Sequence, residues 1–209
     1  MNLSLRTHLA DDLDQFVELL LVGKLAEASE ISKKLHSNGF SMTFACQLDR
    51  AKTHLRDRYT SEPTKTFGIV ASSKSKNLIS YGLDTSFNSR QTLSVIREQS
   101  LASWFNDPRN ADFGCTSFSK IATEFHCQGL ELDGVLLAWG SDFIWDGSKW
   151  CTPKFTARAK AKNPHQLRIN SYRVLLTRSR DGFVIFCPPG PEMLQTKAAL
   201  AAAGIEELA

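Results

Sequence analysis

Two arginines, Arg178 and Arg180, stand shortly before the apolar run FVIFC at 183–187. The apolar spacing before them predicts a helix over 165–180 that ends at Asp-Gly and leads into a buried strand. An arginine that projects from a helix into a cleft can stabilise charge on a transferring phosphoryl group, an effect of roughly 10³ to 10⁵ in rate. Arg178 fits that role. The alternative is a solvated or ion-paired arginine, the usual state of this residue on an amphipathic helix.

The loop that normally cradles nucleotide phosphates is missing from the sequence. No G-x-x-x-x-G-K-[ST] occurs, and the Gly23-Lys24 pair is followed by Leu25 with no glycine five residues upstream. We interpret that pair as the end of a helix. No predicted strand ends in the paired acids that would hold Mg²⁺. The sequence therefore predicts that this chain does not hydrolyse ATP alone.

Two segments resemble motifs of superfamily 1 helicases. TEFHCQGLELDGVLLAWG at 123–140 is similar to motif V, and YRVLLTRSRDGFVIF at 172–186 is similar to motif VI. Together with SLRTHLADDLDQFVELLL at 4–21 and FGIVASSKSKNL at 67–78, they make nearly the whole chain resemble the C-terminal portion of the Schlafen group 3-like helicase family. The resemblance implies the second of two RecA-like motor lobes.

The resemblance also implies roles for single residues. Arg178 would face the γ-phosphate of ATP, and Glu131 would meet the ribose, with Gln128 and Gly129 shaping the turn that leads to it. Thr123 would contact a nucleic-acid phosphate through its hydroxyl group. ATP and Mg²⁺ would be held mainly by a first RecA-like lobe that carries the missing Walker A and B motifs.

Some positions depart from the family pattern or have simpler explanations. Phe125 stands where motif V commonly has histidine, and Gln128 stands where a lysine is often found. Glu131 and Asp133 can instead cap or pair at the entrance of a strand. His126 fits a packing role better than that of a base.

Further residues are candidates for contact with nucleic acid. Ser72 and Ser73 follow an apolar strand pattern, where they first suggest helix caps and second a contact with backbone phosphates. Lys154 and Arg158 belong to a basic stretch that is either a solvated loop or a surface for nucleic acid. The tryptophans at 139, 145 and 150 are expected to pack in the core and in a hairpin rather than stack on bases.

The remaining pattern predicts an α/β fold. Helices are expected over 10–22, 25–37 and 48–59. A further helix should begin near 74, another should end before the turn at 106–110, and the last helix should be the alanine-rich one near the end of the chain. Strands are expected over 41–46, 66–71, 120–125 and 134–140, and an Asp-Gly hairpin over 145–150. Residues 82–93 should be a polar loop. Strands that alternate with helices favour a mostly parallel RecA-like sheet with helices on both faces. We expect 1–40 to be a helical lead-in packed on a lobe formed by 41–209.

Composition sets the broad class of protein. The chain is 42% hydrophobic and 22% charged, with a net charge of +3, which suits a globular protein and is too small to diagnose a nucleic-acid partner. Its five cysteines lack any C-x-x-C spacing, which favours reduced thiols and no metal site. No secretory signal or membrane helix is expected, so the predicted location is the cytoplasm.

Two functions follow from these observations. The first is the second motor lobe of an ATP-dependent DNA or RNA helicase or translocase, active only with a first lobe. The second is a non-catalytic module derived from such a lobe that binds nucleic acid or protein.

Overall fold

The computed structural model describes residues 3–85, 102–109, 112–153 and 162–208, with side chains from residue 8 onward. Helices α1 (Leu3–Leu21), α2 (Leu25–Ser37) and α3 (Leu48–Arg58) precede the middle of the chain, and α4 (Pro164–Leu176) and α5 (Leu194–Ala202) follow it. The main strands are β1 (Ser41–Ala45), β2 (Phe67–Ala71), β3 (Ile121–Thr123), β4 (Leu132–Ala138), β7 (Ser179–Phe186) and β8 (Glu206–Glu207). A hairpin adds β5 (Ile144–Trp145) and β6 (Trp150–Cys151), and short 3₁₀ turns lie at Lys76–Tyr81, Cys115–Ser117 and Pro191–Met193.

Six strands form one parallel sheet in the order β3-β2-β4-β7-β1-β8. Alternate residues of its central strands enter two separate apolar cores: Val135 and Leu137 face one, and Leu136 and Ala138 face the other. The first core contains residues of α1, α2, α4 and α5, and the second contains residues of α3. The predicted α/β class, a mostly parallel RecA-like sheet with an N-terminal helical pair, is confirmed.

The predicted helices over 25–37 and 48–59 are confirmed within one residue at each end. They were predictable because each has a buried apolar face at helical spacing. Ala28 and Leu35 are buried on α2, and Ala51 and Leu55 are buried on α3. The helical pair α1–α2 shares the first core with the sheet. The boundary at residue 40 stays a prediction.

The prediction of one helix over 165–180 is wrong at its C-terminal end. Helix α4 ends at Leu176 with Thr177 as its cap, and β7 already begins at Ser179. The amide of Leu132 donates to the carbonyl of Arg178 at 2.9 Å, so the polar residues before the apolar run belong to the ladder with β4. Asp181-Gly182 therefore lies within β7. A Cβ atom at Gly182 would lie 2.3 Å from the carbonyl oxygen of Ser41, which explains glycine at this point of the strand.

The hairpin prediction is confirmed, and Trp139, Trp145 and Trp150 are buried as expected. The indole nitrogen of Trp150 donates to the carbonyl of Leu20 at 2.6 Å, which fastens the hairpin to α1. The helix predicted before the turn at 106–110 is described only over residues 102–106, which are helical. Its earlier part and most of the polar loop predicted at 82–93 lie outside the described residues. None of the helices in the described ranges has both the length and the hydropathy needed to cross a bilayer.

Candidate functional site

Polar residues gather where three neighbouring strands end. Strands β2, β3 and β4 are adjacent and parallel, so their carboxyl ends meet at one edge of the sheet. Ser72 and Ser73 follow β2, Glu124 follows β3, and Asp142 lies four residues beyond β4. Ligand sites of open α/β sheets commonly occupy this carboxyl edge.

Asp142 is fully buried at this edge, and four side chains donate hydrogen bonds to it. The hydroxyl groups of Ser72 and Ser75 donate at 2.7 and 2.6 Å, and that of Tyr172 donates at 3.0 Å. Arg168 Nη1 lies 3.4 Å from the carboxylate and supplies the compensating charge. Burial and the Asp142 charge both raise the pKa of Tyr172 well above its usual value, which keeps this phenol a donor. Asp142 therefore joins the loop after β2 to helix α4.

Glu124 forms a second carboxylate centre beside the first. It accepts from the amide and the hydroxyl of Ser73 at 2.8 and 2.9 Å and from the hydroxyl of Ser171 at 3.2 Å. Arg168 Nη1 lies 3.9 Å away, so one guanidinium group serves both carboxylates. The loops after β2 and β3 are thereby held side by side.

These contacts change the interpretation of the two serines. The predicted helix begins only at Lys76, as a 3₁₀ turn without a side-chain cap, so Ser72 and Ser73 are not its caps. Ser72 is fully buried between Asp142 and Arg168, which leaves its predicted contact with nucleic acid without support. Ser73 is partly exposed, but its hydroxyl donates to Glu124.

Thr123, the predicted contact for a nucleic-acid phosphate, is only 2% exposed. Its amide donates to Nδ1 of His126 at 3.0 Å, and its hydroxyl lies 3.0 Å from the same nitrogen. The amide of His126 donates back to the Thr123 carbonyl at 2.8 Å, which closes a tight turn. The structure thus gives Thr123 and His126 a role in shaping this turn and does not present the hydroxyl at the surface.

The segment 124–131 and helix α4 both connect the carboxyl edge of the sheet to its amino edge, where β4 and β7 begin. Arg178 joins them at that far end. Its Nη1 donates to the carbonyls of Cys127 and Leu130 at 3.1 and 3.3 Å, and its Nε donates to the carbonyl of Val174 at 2.9 Å. The prediction that Arg178 projects from a helix is wrong, because it lies in the link between α4 and β7.

The charge environment of Arg178 differs from that of its neighbours. Arg168 faces Asp142 and Glu124, Arg173 pairs with Glu18, and Arg180 pairs with Glu131. Within the described residues Arg178 forms no ion pair, and its acceptors are backbone carbonyls and the Thr177 hydroxyl. Its side chain is therefore held in place, and none of the described carboxylates pairs with its positive charge.

The other predicted nucleotide contacts lie on the same exposed segment. Gln128, Gly129 and Glu131 are all exposed, and Gly129 has a φ of +76°, a left-handed conformation that favours glycine. Glu131 accepts from Arg180 Nε at 2.6 Å, with both side chains more than half exposed. Asp133 accepts from Thr66 and Lys65, as the pairing alternative predicts for a strand entrance.

Two predicted nucleic-acid contacts lie outside the described residues. Lys154 and Arg158 fall in the undescribed range 154–161. The described part of the chain contains no group of three His, Cys, Asp or Glu side chains arranged to hold a metal ion. The five cysteines are free thiols in this structure.

Sequence reasoning missed the three most connected residues of the site, namely Glu124, Asp142 and Arg168. The available signal was their position shortly after apolar strands or in the first half of a helix. That signal does not reveal that a single arginine neutralises two acids separated from it by 44 and 26 residues.

Comparison with protein-family models gives a match to the Schlafen group 3 DNA/RNA helicase domain over residues 1–189. A search of curated proteins finds no match. The match spans β1 to β7 and includes both segments that Arg178 ties together. This chain belongs to the Schlafen group 3 DNA/RNA helicase domain family.

Proposed function

We propose that this chain is the second motor lobe of an ATP-dependent DNA or RNA helicase or translocase. In this role it supplies Arg178 to an ATP site whose phosphate loop and metal-holding acids belong to a first lobe. The proposal is supported by the family and by the absence of a G-x-x-x-x-G-K-[ST] loop from the chain.

This proposal depends on the charge of Arg178, which no carboxylate among the described residues compensates. A guanidinium group that is paired with a carboxylate must lose that partner before it can act on a phosphoryl group. Arg178 would only have to exchange neutral carbonyl acceptors for the phosphoryl oxygens. A phosphoryl oxygen adds its own negative charge and can accept from the guanidinium fork through two parallel bonds, so it would compete well with the neutral carbonyls. Arg178 is accordingly better suited to this role than Arg168, Arg173 or Arg180.

The polar residues near Arg178 are suited to contact the ribose of a nucleotide. Glu131 can accept hydrogen bonds from ribose hydroxyls, and its exposed pair with Arg180 is of a kind worth about 1 kcal/mol or less, so it can be exchanged at small cost. Gln128 and Gly129 lie beside it on the exposed turn. Mg²⁺ and most of the phosphate contacts are assigned to the first lobe.

The second candidate function is a non-catalytic module that binds nucleic acid or protein. Two observations favour it: the guanidinium group of Arg178 already bridges two backbone segments, and the hydroxyl of Thr123 is turned into the fold. In this case Arg178 would be a structural clamp only.

The two functions are separated by reconstitution. The chain is mixed with a first lobe of the same family that carries the Walker motifs, and ATP hydrolysis is measured with and without single-stranded DNA or RNA. The motor proposal expects hydrolysis by the mixture that neither lobe shows alone, and its loss in Arg178→Ala. A mixture that associates but gains no hydrolysis with either nucleic acid would favour the module.

A further inference from the structure

Glu124 joins the loops after β2 and β3 at the carboxyl edge of the sheet, and each loop carries an exposed residue next to the junction. Its carboxylate accepts from the amide and hydroxyl of Ser73, so the chain segments at 73 and 124 are clasped together. The next residue in each segment points outward: Lys74 is exposed, and Phe125 is 67% exposed. A cation and an aromatic ring therefore stand on neighbouring loops.

The backbone near Phe125 is anchored in the fold although its ring is exposed. The residue before it, Glu124, is 5% exposed, and Cys127 is 2% exposed, so the backbone on both sides is anchored in the fold. Leu167 of α4 is 48% exposed, and its carbonyl shares the Ser171 hydroxyl with Glu124. Helix α4 therefore brings a second exposed apolar side chain to the same carboxyl edge, and exposed apolar surface of this kind can mark a binding site.

Exposed cations lie on the loop after β2 and at the start of α4. Lys74 and Lys76 are exposed on the loop after β2, and Lys162 is exposed where the chain enters α4. The segments 72–77 and 162–170 contain no acidic residue. The two carboxylates at this edge, Glu124 and Asp142, are buried and face Arg168. The exposed charge of these segments therefore complements a polyanion.

We infer that Phe125 is a base-stacking platform for single-stranded nucleic acid and that Lys74 and Lys76 contact its phosphates. The inference rests on the proposed function, since it names the strand-binding surface of that motor lobe. An aromatic face beside a cationic groove is the usual arrangement for binding single strands without sequence preference. A base inside a duplex does not offer its face to such a ring, so single strands should be preferred.

The test uses the whole chain without ATP or a first lobe, so its result does not depend on motor activity. Fluorescence anisotropy is measured with labelled oligo-dT, oligo-U and a blunt DNA duplex of equal length. Phe125→Ala should lower the affinity for both single strands by about tenfold, within the range of one lost stack. Phe125→Trp should retain affinity, whereas Phe125→Leu, which keeps apolar bulk but loses the flat ring, should not.

A spectroscopic signature separates stacking from indirect effects. The four natural tryptophans are buried, so new quenching of emission on adding oligo-dT to the Phe125→Trp variant reports on position 125. Lys74→Ala and Lys76→Ala should each weaken binding and make its salt dependence shallower, by about 0.7 in the log-log slope for each lost phosphate contact. Val22→Ala and Lys33→Ala are matched controls, since both residues are more than half exposed, and should bind as the unaltered chain does.

Four results would overturn the inference. They are unaltered affinity in Phe125→Ala, full affinity in Phe125→Leu, equal binding of the duplex with the same dependence on Phe125, and no binding of any oligonucleotide by the chain. The motor proposal would survive each of them if the reconstituted lobes still hydrolyse ATP.

Discussion

Nη1 of Arg178 donates a hydrogen bond to the carbonyl of Cys127 at 3.1 Å, which fastens the start of β7 to the segment that crosses from β3 to β4. The two joined segments are those that resemble helicase motifs V and VI. Since the bond uses a neutral acceptor, it fixes the position of Arg178 without neutralising it. A positioned but uncompensated guanidinium group is what stabilisation of a phosphoryl transition state requires.

With a competent first lobe, Arg178→Ala and Arg178→Lys should each raise the activation free energy by about 4 kcal/mol or more. The reason is that this charge acts mainly on the transition state, so kcat should fall far more than ATP affinity. Lysine keeps the charge but loses the planar fork, and it should not restore the rate. The measurement is steady-state ATP hydrolysis together with nucleotide binding.

Arg180→Ala is the matched control for this series, because Arg180 is exposed and paired with Glu131. Arg180→Ala should raise the activation free energy of ATP hydrolysis much less than Arg178→Ala does. Folding of each variant is checked by circular dichroism and thermal melting, since Arg178→Ala also removes bonds to Cys127 and Leu130. Normal hydrolysis in Arg178→Ala with loss in Arg180→Ala or Arg173→Ala would move the catalytic role to that residue.

The isolated chain should show no measurable ATP hydrolysis. Its sequence contains no G-x-x-x-x-G-K-[ST] loop, and none of its predicted strands ends in paired acids, so we expect the nucleotide not to be ordered for attack. Release of phosphate by the purified chain is the measurement. Turnover that disappears in Arg178→Ala, which excludes contamination, would contradict the division of labour between two lobes.

Asp142→Ala should destabilise the fold by about 3–5 kcal/mol, because it leaves Arg168 buried with its main counter-charge removed. Glu131→Ala should cost about 1 kcal/mol or less, since its pair with Arg180 is exposed. Urea denaturation of both variants gives the comparison. Equal midpoints would mean that the buried cluster contributes little to stability.

Alkaline pH should weaken the fold through its buried thiols. Burial raises the pKa of Cys127 and of Cys187 to about 12, from an ordinary value of 9.0. The folded chain therefore retains protons that the unfolded chain releases above pH 9, so stability is full below that pH and declines as the pH rises towards 12. Urea midpoints between about pH 8 and pH 10.5 should decrease less in Cys127→Ala than in the unaltered chain. An identical decrease would assign the effect to other groups.

The basic run should contribute to binding of nucleic acid in a salt-dependent way without regard to base sequence. Replacement of Lys154, Arg158, Lys160 and Lys162 by alanine should make the slope of log affinity against log salt shallower. Titrations of oligonucleotides of different sequence at several salt concentrations provide the test. If affinity and slope both remain unchanged, this run is a solvated surface.

Local patterns determined most of the secondary structure of this protein. The helix over 25–37 and the Asp-Gly hairpin were predicted because their spacing and turn residues act within a few positions of each other. The predicted helix over 165–180 extended too far, because residues 179–182 pair with a neighbouring strand instead. The polar residues there gain strand structure only by pairing with β4, and this long-range hydrogen bonding is not encoded in helical periodicity.

The sequence by itself was enough to predict the α/β class and the family, and it contains no G-x-x-x-x-G-K-[ST] loop. The catalytic role of Arg178 stays a prediction. Only the tertiary structure decided that Arg178 bridges two segments through neutral carbonyls, that Arg168 compensates Asp142 and Glu124, and that Thr123 and Ser72 are buried. These facts depend on which strand ends lie side by side in the order β3-β2-β4-β7. Residue type shows which groups can carry charge or donate a proton, but burial and partnership arise when segments distant in sequence share one edge of a sheet.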